Sequence, residues 1–197
     1  LMEKDFQSGC KNHSKIILKR VINILMLKNL HSILIDKGIN FHPDLPNPCI
    51  NNIIFDSRLI EKGSLFIGLK GEKVDGGIYW KDAIQKGAVA AGISTSSAKL
   101  IPPSLDDTVF ILPDPPSQWA GEIVSAFWDN PSEKIDLIGV TGTNGKTTIT
   151  FLIEYLSRCL SVKSALFGTL INRWPSHSEV ACHTTGFADS LQSNLFK

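Results

Sequence analysis

Cysteine is scarce and unpatterned in these 197 residues. Cys10, Cys49, Cys159 and Cys182 stand far apart, with no C-x-x-C pair and no metal-ligand spacing. That excludes a disulfide framework and reads as reduced thiols in a cytosolic protein. An excess of one charge is lacking too. Twenty Lys and Arg against 19 Asp and Glu leave a formal net charge of +1, which gives no electrostatic reason to expect nucleic acid or an anionic membrane as partner. A membrane span needs about 20 uninterrupted apolar residues, and the most apolar stretch, Ile16 to Leu27, is broken by Lys19 and Arg20. No internal repeat or low-complexity tract occurs. What is present, 43% hydrophobic and 20% charged residues, suits an ordinary globular chain and not a disordered one. The length allows one large domain or two small ones.

Residues 1–25 are set apart as an N-terminal extension. The polar opening Glu3-Lys4-Asp5 and the lack of a small-residue cleavage site argue against a secretory signal. Met26 is a candidate natural start, with the residues before it either upstream sequence or a peripheral amphipathic helix. Beyond it, Leu30, Ile33, Leu34 and Ile35 fall at helical spacing with Gly38 as a stop. Ile53-Ile54-Phe55 reads as a strand running into Asp56-Ser57-Arg58, and Ser64 to Gly68 as a second strand. A glycine-rich loop (Gly71, Gly76, Gly77) leads to a helix from Tyr79 to Lys86 closed by Gly87. Ala88 to Ile93 and Val109 to Leu112 read as strands, and Pro116 opens a helix whose apolar side carries Trp119, Ala120, Ile123, Val124 and Phe127. Strands alternating with helices mean an α/β architecture. Asn130-Pro131-Ser132 is the best boundary, giving domains at 26–131 and 132–197.

The informative stretch follows that boundary. Leu137, Ile138 and Val140 read as a strand buried on both faces. Gly142-Thr143-Asn144-Gly145-Lys146-Thr147-Thr148 comes next, and then Ile149, Leu152, Ile153, Leu156 and Leu160 recur at three- and four-residue steps. A strand, a glycine-rich loop and a helix N-terminus in that order are the setting of a phosphate-binding loop. Gly142 and Gly145 allow a close backbone approach to phosphate. Successive N–H groups and the helix dipole then point positive charge at the anion. Lys146 is placed to reach the terminal phosphates, and the Thr147 hydroxyl to complete the shell of a Mg2+ ion bridging phosphate oxygens. The common spacing, G-x-x-x-x-G-K-[ST], wants a glycine at 140, where this chain has Val140; its glycines are Gly139 and Gly142.

That shifted pattern resembles the ATP loop of the Mur ligase and folylpolyglutamate synthetase superfamily, whose members join a carboxylate to an amine at the expense of ATP. Two further places narrow the resemblance. Asp56-Ser57-Arg58, Gly63 to Ile67, Gly71 and Asp75-Gly76 are similar to the N-terminal domain of the branches adding the third residue and the terminal dipeptide to the peptidoglycan stem. His183-Thr184-Thr185-Gly186 resembles the Asn-Thr-Thr-Gly of the third-residue branch, with His183 in place of the Asn. The resemblance implies a small α/β domain that binds the uridine-linked substrate, followed by the beginning of a P-loop, Rossmann-like central ATPase domain, incomplete at Lys197.

It also implies an activity: addition of diaminopimelate or lysine to UDP-N-acetylmuramoyl-L-alanyl-D-glutamate in peptidoglycan biosynthesis, by a cytoplasmic enzyme that is monomeric at full length. ATP would phosphorylate the D-glutamate side-chain carboxylate, and the amine of the incoming amino acid would displace phosphate. Residues 142–148 would bind ATP, with Lys146 and Thr147 catalytic and Thr147 at Mg2+. Phe55, Ser57, Glu72, Lys73, Val74, His183, Thr184 and Thr185 would contact the uridine-linked muramoyl peptide. In the family, further Mg2+ and substrate ligands and a C-terminal domain follow, so this chain alone is expected to lack ligase activity and, with apolar strand edges exposed, to be poorly soluble. Alternatives are the terminal-dipeptide or folate-polyglutamylating branch and a noncatalytic nucleotide-binding module. An ordinary P-loop phosphohydrolase would want an Asp on a neighbouring strand for Mg2+, and no such signal stands out. Read without the family, Asp56-Ser57-Arg58 is a solvated turn, Thr-Thr-Gly an ordinary loop, and the four tryptophans packing residues.

Overall fold

Alternation along short apolar runs decides the layering of the first half of the chain. The computed structural model describes residues 27–71, 74–175, 177–181 and 186–196. It divides into two compact units, Leu1–Asn130 and Pro131–Lys197.

In the first unit, β1 (Lys28–Asn29) pairs antiparallel with β2 (Cys49–Ile50), and α1 spans Leu30–Asp36 between them. A four-stranded parallel sheet follows in the order β3 (Asn52–Ile54), β4 (Ser64–Ile67), β5 (Ala90–Ile93) and β6 (Val109–Ile111). Its register sets Ile54 beside Phe66, Phe66 beside Ala91 and Gly92 beside Phe110. Successive side chains point to opposite faces of a strand. Leu65, Ile67, Ala90 and Phe110 therefore enter one buried cluster with α1 and α4 (Pro116–Phe127), while Phe66, Ala91 and Ile93 enter another with α2 (Trp80–Gln85). Both faces are covered, as a parallel sheet requires. Gly92 leaves room for its neighbour's ring, since a Cβ there would sit 2.7 Å from Phe110 Cζ.

The helix ends follow their residues. Gly38 adopts φ +65° just past α1, Gly87 adopts φ +117° past α2, and Pro116 stands in the first turn of α4. The helix α3 (Thr95–Leu100) has no apolar stripe to announce it. It is started by Ser94, whose Oγ accepts from the Ser97 N–H at 3.1 Å.

The second unit departs from expectation at its start. Leu137, Ile138 and Val140 form no strand: the segment has no regular structure, with Leu137 59% and Ile138 69% exposed. The reason is tertiary. A strand of that kind needs hydrogen-bonding neighbours, and the strands of this unit, β7 (Leu166–Phe167), β8 (Ile171–Trp174) and β9 (His177–Val180), pair antiparallel among themselves. The helix expected after the loop does form, as α5 (Lys146–Cys159), but none of its residues is buried. It holds β8 through Glu154, whose Oε2 accepts from Arg173 at 2.7 Å and from Arg158 at 3.2 Å. A final helix, α6, covers Ala188–Phe196.

Among the described residues no helix is long and apolar enough to cross a membrane, and Cys49 and Cys159 are free thiols.

Candidate functional site

The loop before α5 takes the shape its glycines permit. Gly142 lies at φ +144° and Gly145 at φ +79°, conformations that side-chain-bearing residues rarely adopt. Gly145 is also the N-cap of α5 and carries no capping side chain. The first intrahelical bond runs from Ile149 N to Gly145 O at 2.9 Å, so the N–H groups of Lys146, Thr147 and Thr148 precede it at the helix mouth. A Ser, Thr or Asp cap would occupy one of those donors; glycine leaves them for an anion. Lys146 folds back over the loop, its Nζ donating to Gly142 O at 2.5 Å and Thr143 O at 3.3 Å. Gly142, Thr143, Asn144 and Gly145 are exposed, and Thr147 is half-buried. An ammonium, three threonine hydroxyls and outward-facing amides form a donor set suited to phosphate. The Thr147 hydroxyl is the hard oxygen ligand that Mg2+ prefers.

In the first unit, the C-terminal ends of all four strands share one rim, where open α/β sheets take their ligands. Phe55 and Ser57 leave β3 there. Phe55 packs partly buried against the α1/α4 cluster. Ser57 sits in a turn braced twice. Asp56 accepts from the Arg58 backbone N–H at 2.9 Å and from its guanidinium at 2.6 and 2.9 Å, and Lys86 Nζ donates to Ser57 O at 3.1 Å. Val74, exposed, lies in the loop leaving β4. Glu72, Lys73, His183, Thr184 and Thr185 lie outside the described residues.

The rim also holds side chains that sequence reading did not single out as site residues. Asp75 accepts from Ser94 Oγ at 2.8 Å, Ser96 Oγ at 2.9 Å and Gly77 N at 3.0 Å. Nineteen and 21 residues separate Asp75 from its serine partners, which no local pattern connects. The available signal was Asp75-Gly76 within the family resemblance, which marks the aspartate but not its serine partners.

Comparison with known proteins bears on both units. The family model described as "Mur ligase family, catalytic domain" matches residues 49–128. A UDP-N-acetylmuramoyl-L-alanyl-D-glutamate–2,6-diaminopimelate ligase of Prochlorococcus marinus is 61% identical over 146 residues, 74% of this chain and 29% of the relative. One of the same name from another strain of Prochlorococcus marinus, NATL2A, is 53% identical over 172 residues, 87% of this chain and 34% of the relative. The chain belongs to the Mur ligase family. A match of 172 among 197 residues passes through 142–148, so the likeness to this Mur ligase includes the phosphate loop that the family model leaves out. A solved Mur ligase structure, also titled a UDP-N-acetylmuramoyl-L-alanyl-D-glutamate–2,6-diaminopimelate ligase, superposes with TM-score 0.59 at 25% identity, covering 86% of this chain and 33% of that one. The chain thus spans about a third of the length of the Mur ligases it matches.

The Asp56 turn makes a measurable prediction. The Arg58 guanidinium, and then the Arg58 backbone N–H, hold the Asp56 carboxyl at about 2, against an ordinary value of 3.8. A depressed carboxyl contributes its stability above its unfolded pKa and loses it as pH falls through the folded one, so this turn loosens between about pH 4 and pH 2. Arg58 is 84% exposed, and solvent screening keeps the effect on global stability small. The readout is therefore the Asp56 carboxyl resonance. Its midpoint is expected near 2, and Arg58→Ala should raise it part of the way back, since the backbone donor at residue 58 stays. A midpoint unmoved by that substitution would count against the bracing.

Proposed function

We propose that this chain is the uridine-substrate domain and the ATP loop of a cytoplasmic Mur ligase that adds the third amino acid to the peptidoglycan stem. On this reading the first unit binds UDP-N-acetylmuramoyl-L-alanyl-D-glutamate and the second begins the ATP-binding domain. The observation that carries it is the open mouth of α5: a glycine N-cap at φ +79° with Lys146 poised over the loop. The names of relatives 53% and 61% identical support the choice of branch and favour diaminopimelate as the amino acid added.

The reaction moves the γ-phosphoryl group of ATP to the D-glutamate side-chain carboxylate, and the amine then displaces phosphate to give the amide. The chain's own contribution is positioning and charge neutralisation. The amides of residues 146–148 hold the phosphate tail, and Lys146 leaves the carbonyls of Gly142 and Thr143 to meet the terminal phosphates. Thr147 offers its hydroxyl to Mg2+, while Thr143, Asn144 and Thr148 complete the cradle. Phe55, Ser57 and Val74 present the first unit's rim to the uridine diphosphate, joined by Glu72 and Lys73. His183, Thr184 and Thr185 serve the muramoyl-peptide end through hydroxyl and imidazole hydrogen bonds.

The 197-residue chain, about a third of its relatives' length, binds both ligands without turning ATP over. Two measurements test this. Calorimetry should show saturable binding of ATP with Mg2+ and of the uridine-linked dipeptide, and ADP release in the presence of diaminopimelate should stay at background. Sustained ADP release would overturn the assignment of an incomplete active site. Preference for the uridine-linked tripeptide over the dipeptide would move the chain to the terminal-dipeptide branch.

A further inference from the structure

The loop that leaves β4 returns on itself. Gly76 N donates to Leu69 O at 2.8 Å, Gly71 N donates to Val74 O at 2.9 Å, and Lys70 bridges to Asp75 in antiparallel fashion. Three glycines make the closure possible. A Cβ on Gly68 would run into the Gly77 backbone, one on Gly77 into the Ser97 side chain, and one on Gly76 would lie 2.7 Å from Leu69 O. A backbone packed that closely has a fixed position but no side chains of its own to hold it there. Asp75 supplies the tie. Its Oδ1 takes the Gly77 N–H, and its Oδ2 takes the hydroxyls of Ser94 and Ser96, at the end of the neighbouring strand β5 and the start of α3. Burial pushes the Asp75 carboxyl up, yet the donors from Ser94, Gly77 and Ser96 outweigh it and hold the group below its ordinary range. It is therefore an anion at neutral pH, and charge-assisted hydrogen bonds are the stronger kind.

We propose that Asp75 is a positioning residue for the uridine-linked substrate, locking the β4 loop to the β5 rim through Ser94 and Ser96 so that the loop already stands in place when the substrate arrives. The proposal rests on the assignment of the rim to that substrate. Asp75 touches no ligand on this account; it sets where the loop stands before a ligand arrives. Preorganisation of this sort appears in affinity, because a loop that must be ordered on binding weakens it.

The test uses the 197-residue chain and UDP-N-acetylmuramoyl-L-alanyl-D-glutamate in calorimetry. Asp75→Ala should weaken binding by about tenfold or more, the loss expected for removing charged hydrogen bonds. Asp75→Asn, which retains part of the network, and Ser96→Ala, which spares the Ser94 cap, should each fall between wild type and Asp75→Ala. The affinity for ATP should not change. Amide exchange at Gly71, Gly76 and Gly77 should accelerate in Asp75→Ala while the buried amides of β4 and β5 stay protected, which a general loss of structure would not produce. Wild-type affinity in Asp75→Ala, or wild-type affinity in Ser96→Ala should Asp75→Ala fail to fold, overturns the positioning role alone. Failure of the wild-type chain to bind the uridine compound overturns the rim assignment and this inference with it.

Discussion

Trp80→Ala is expected to remove about 3–5 kcal/mol from the stability of the first unit, read as a large drop in the denaturant midpoint of its unfolding transition. Trp80 is 1% exposed and is the largest fully buried side chain. It fills the layer between the sheet and α2, in the cluster with Phe66, Ala83, Ala91 and Ile93. Its indole Nε1 donates to Ile101 O at 3.1 Å, so truncation opens a cavity and strands a carbonyl together. Domains hold about 5–15 kcal/mol in total, which makes this one change enough to leave the unit marginal. Trp80→Phe separates the two losses: it keeps most of the volume and gives up the hydrogen bond, and should cost about 1–2 kcal/mol. Equal effects from both variants would mean that the hydrogen bond, not the packing, dominates.

Lys146→Ala should weaken ATP binding by about ten- to a hundredfold, from hydrogen bonds to charged groups of about 1.5–3 kcal/mol each. Two effects point the same way. The ammonium proposed to meet the terminal phosphates is gone, and the carbonyls of Gly142 and Thr143, which it covers in this structure, would be left facing an anion. Lys146→Arg keeps the charge but not the compact reach, and should recover only part of the affinity. The second unit should melt as before, because Lys146 bonds only to its own loop among the described residues. Unaltered ATP affinity in the alanine variant would remove the chemical basis of the ligase assignment.

How much of this was legible in the sequence depended on how local the determinant was. The glycine-lysine-threonine loop needs particular backbone angles at particular residues, and Gly142 and Gly145 adopt them. The parallel strands announced themselves through continuous apolar runs such as Leu65-Phe66-Ile67, which are buried on both faces, and Pro116 marked the first turn of its helix. The segment from Leu137 to Val140 carries the same kind of signal and yet forms no strand, since strand formation depends on neighbours that a local window cannot supply. The α3 helix was invisible for the opposite reason: its capping serine does the initiating, with no apolar stripe behind it. The hairpin strands β8 and β9 mix Asn172, Arg173, Ser178 and Glu179 with apolar residues and give no clear period. The Asp75 tie joins residues that only the sheet brings side by side.

Because β3 to β6 lie in sequential order and run the same way, the three connections between them leave the sheet at the same rim and each belongs to a separate crossover. Lengthening or recoding one of them reshapes the rim without disturbing the strand pairing beneath. The connection after β3 can thus be rebuilt by itself, whereas those after β4 and β5 are knotted together through Asp75, Ser94 and Ser96 and have to be redesigned as a pair.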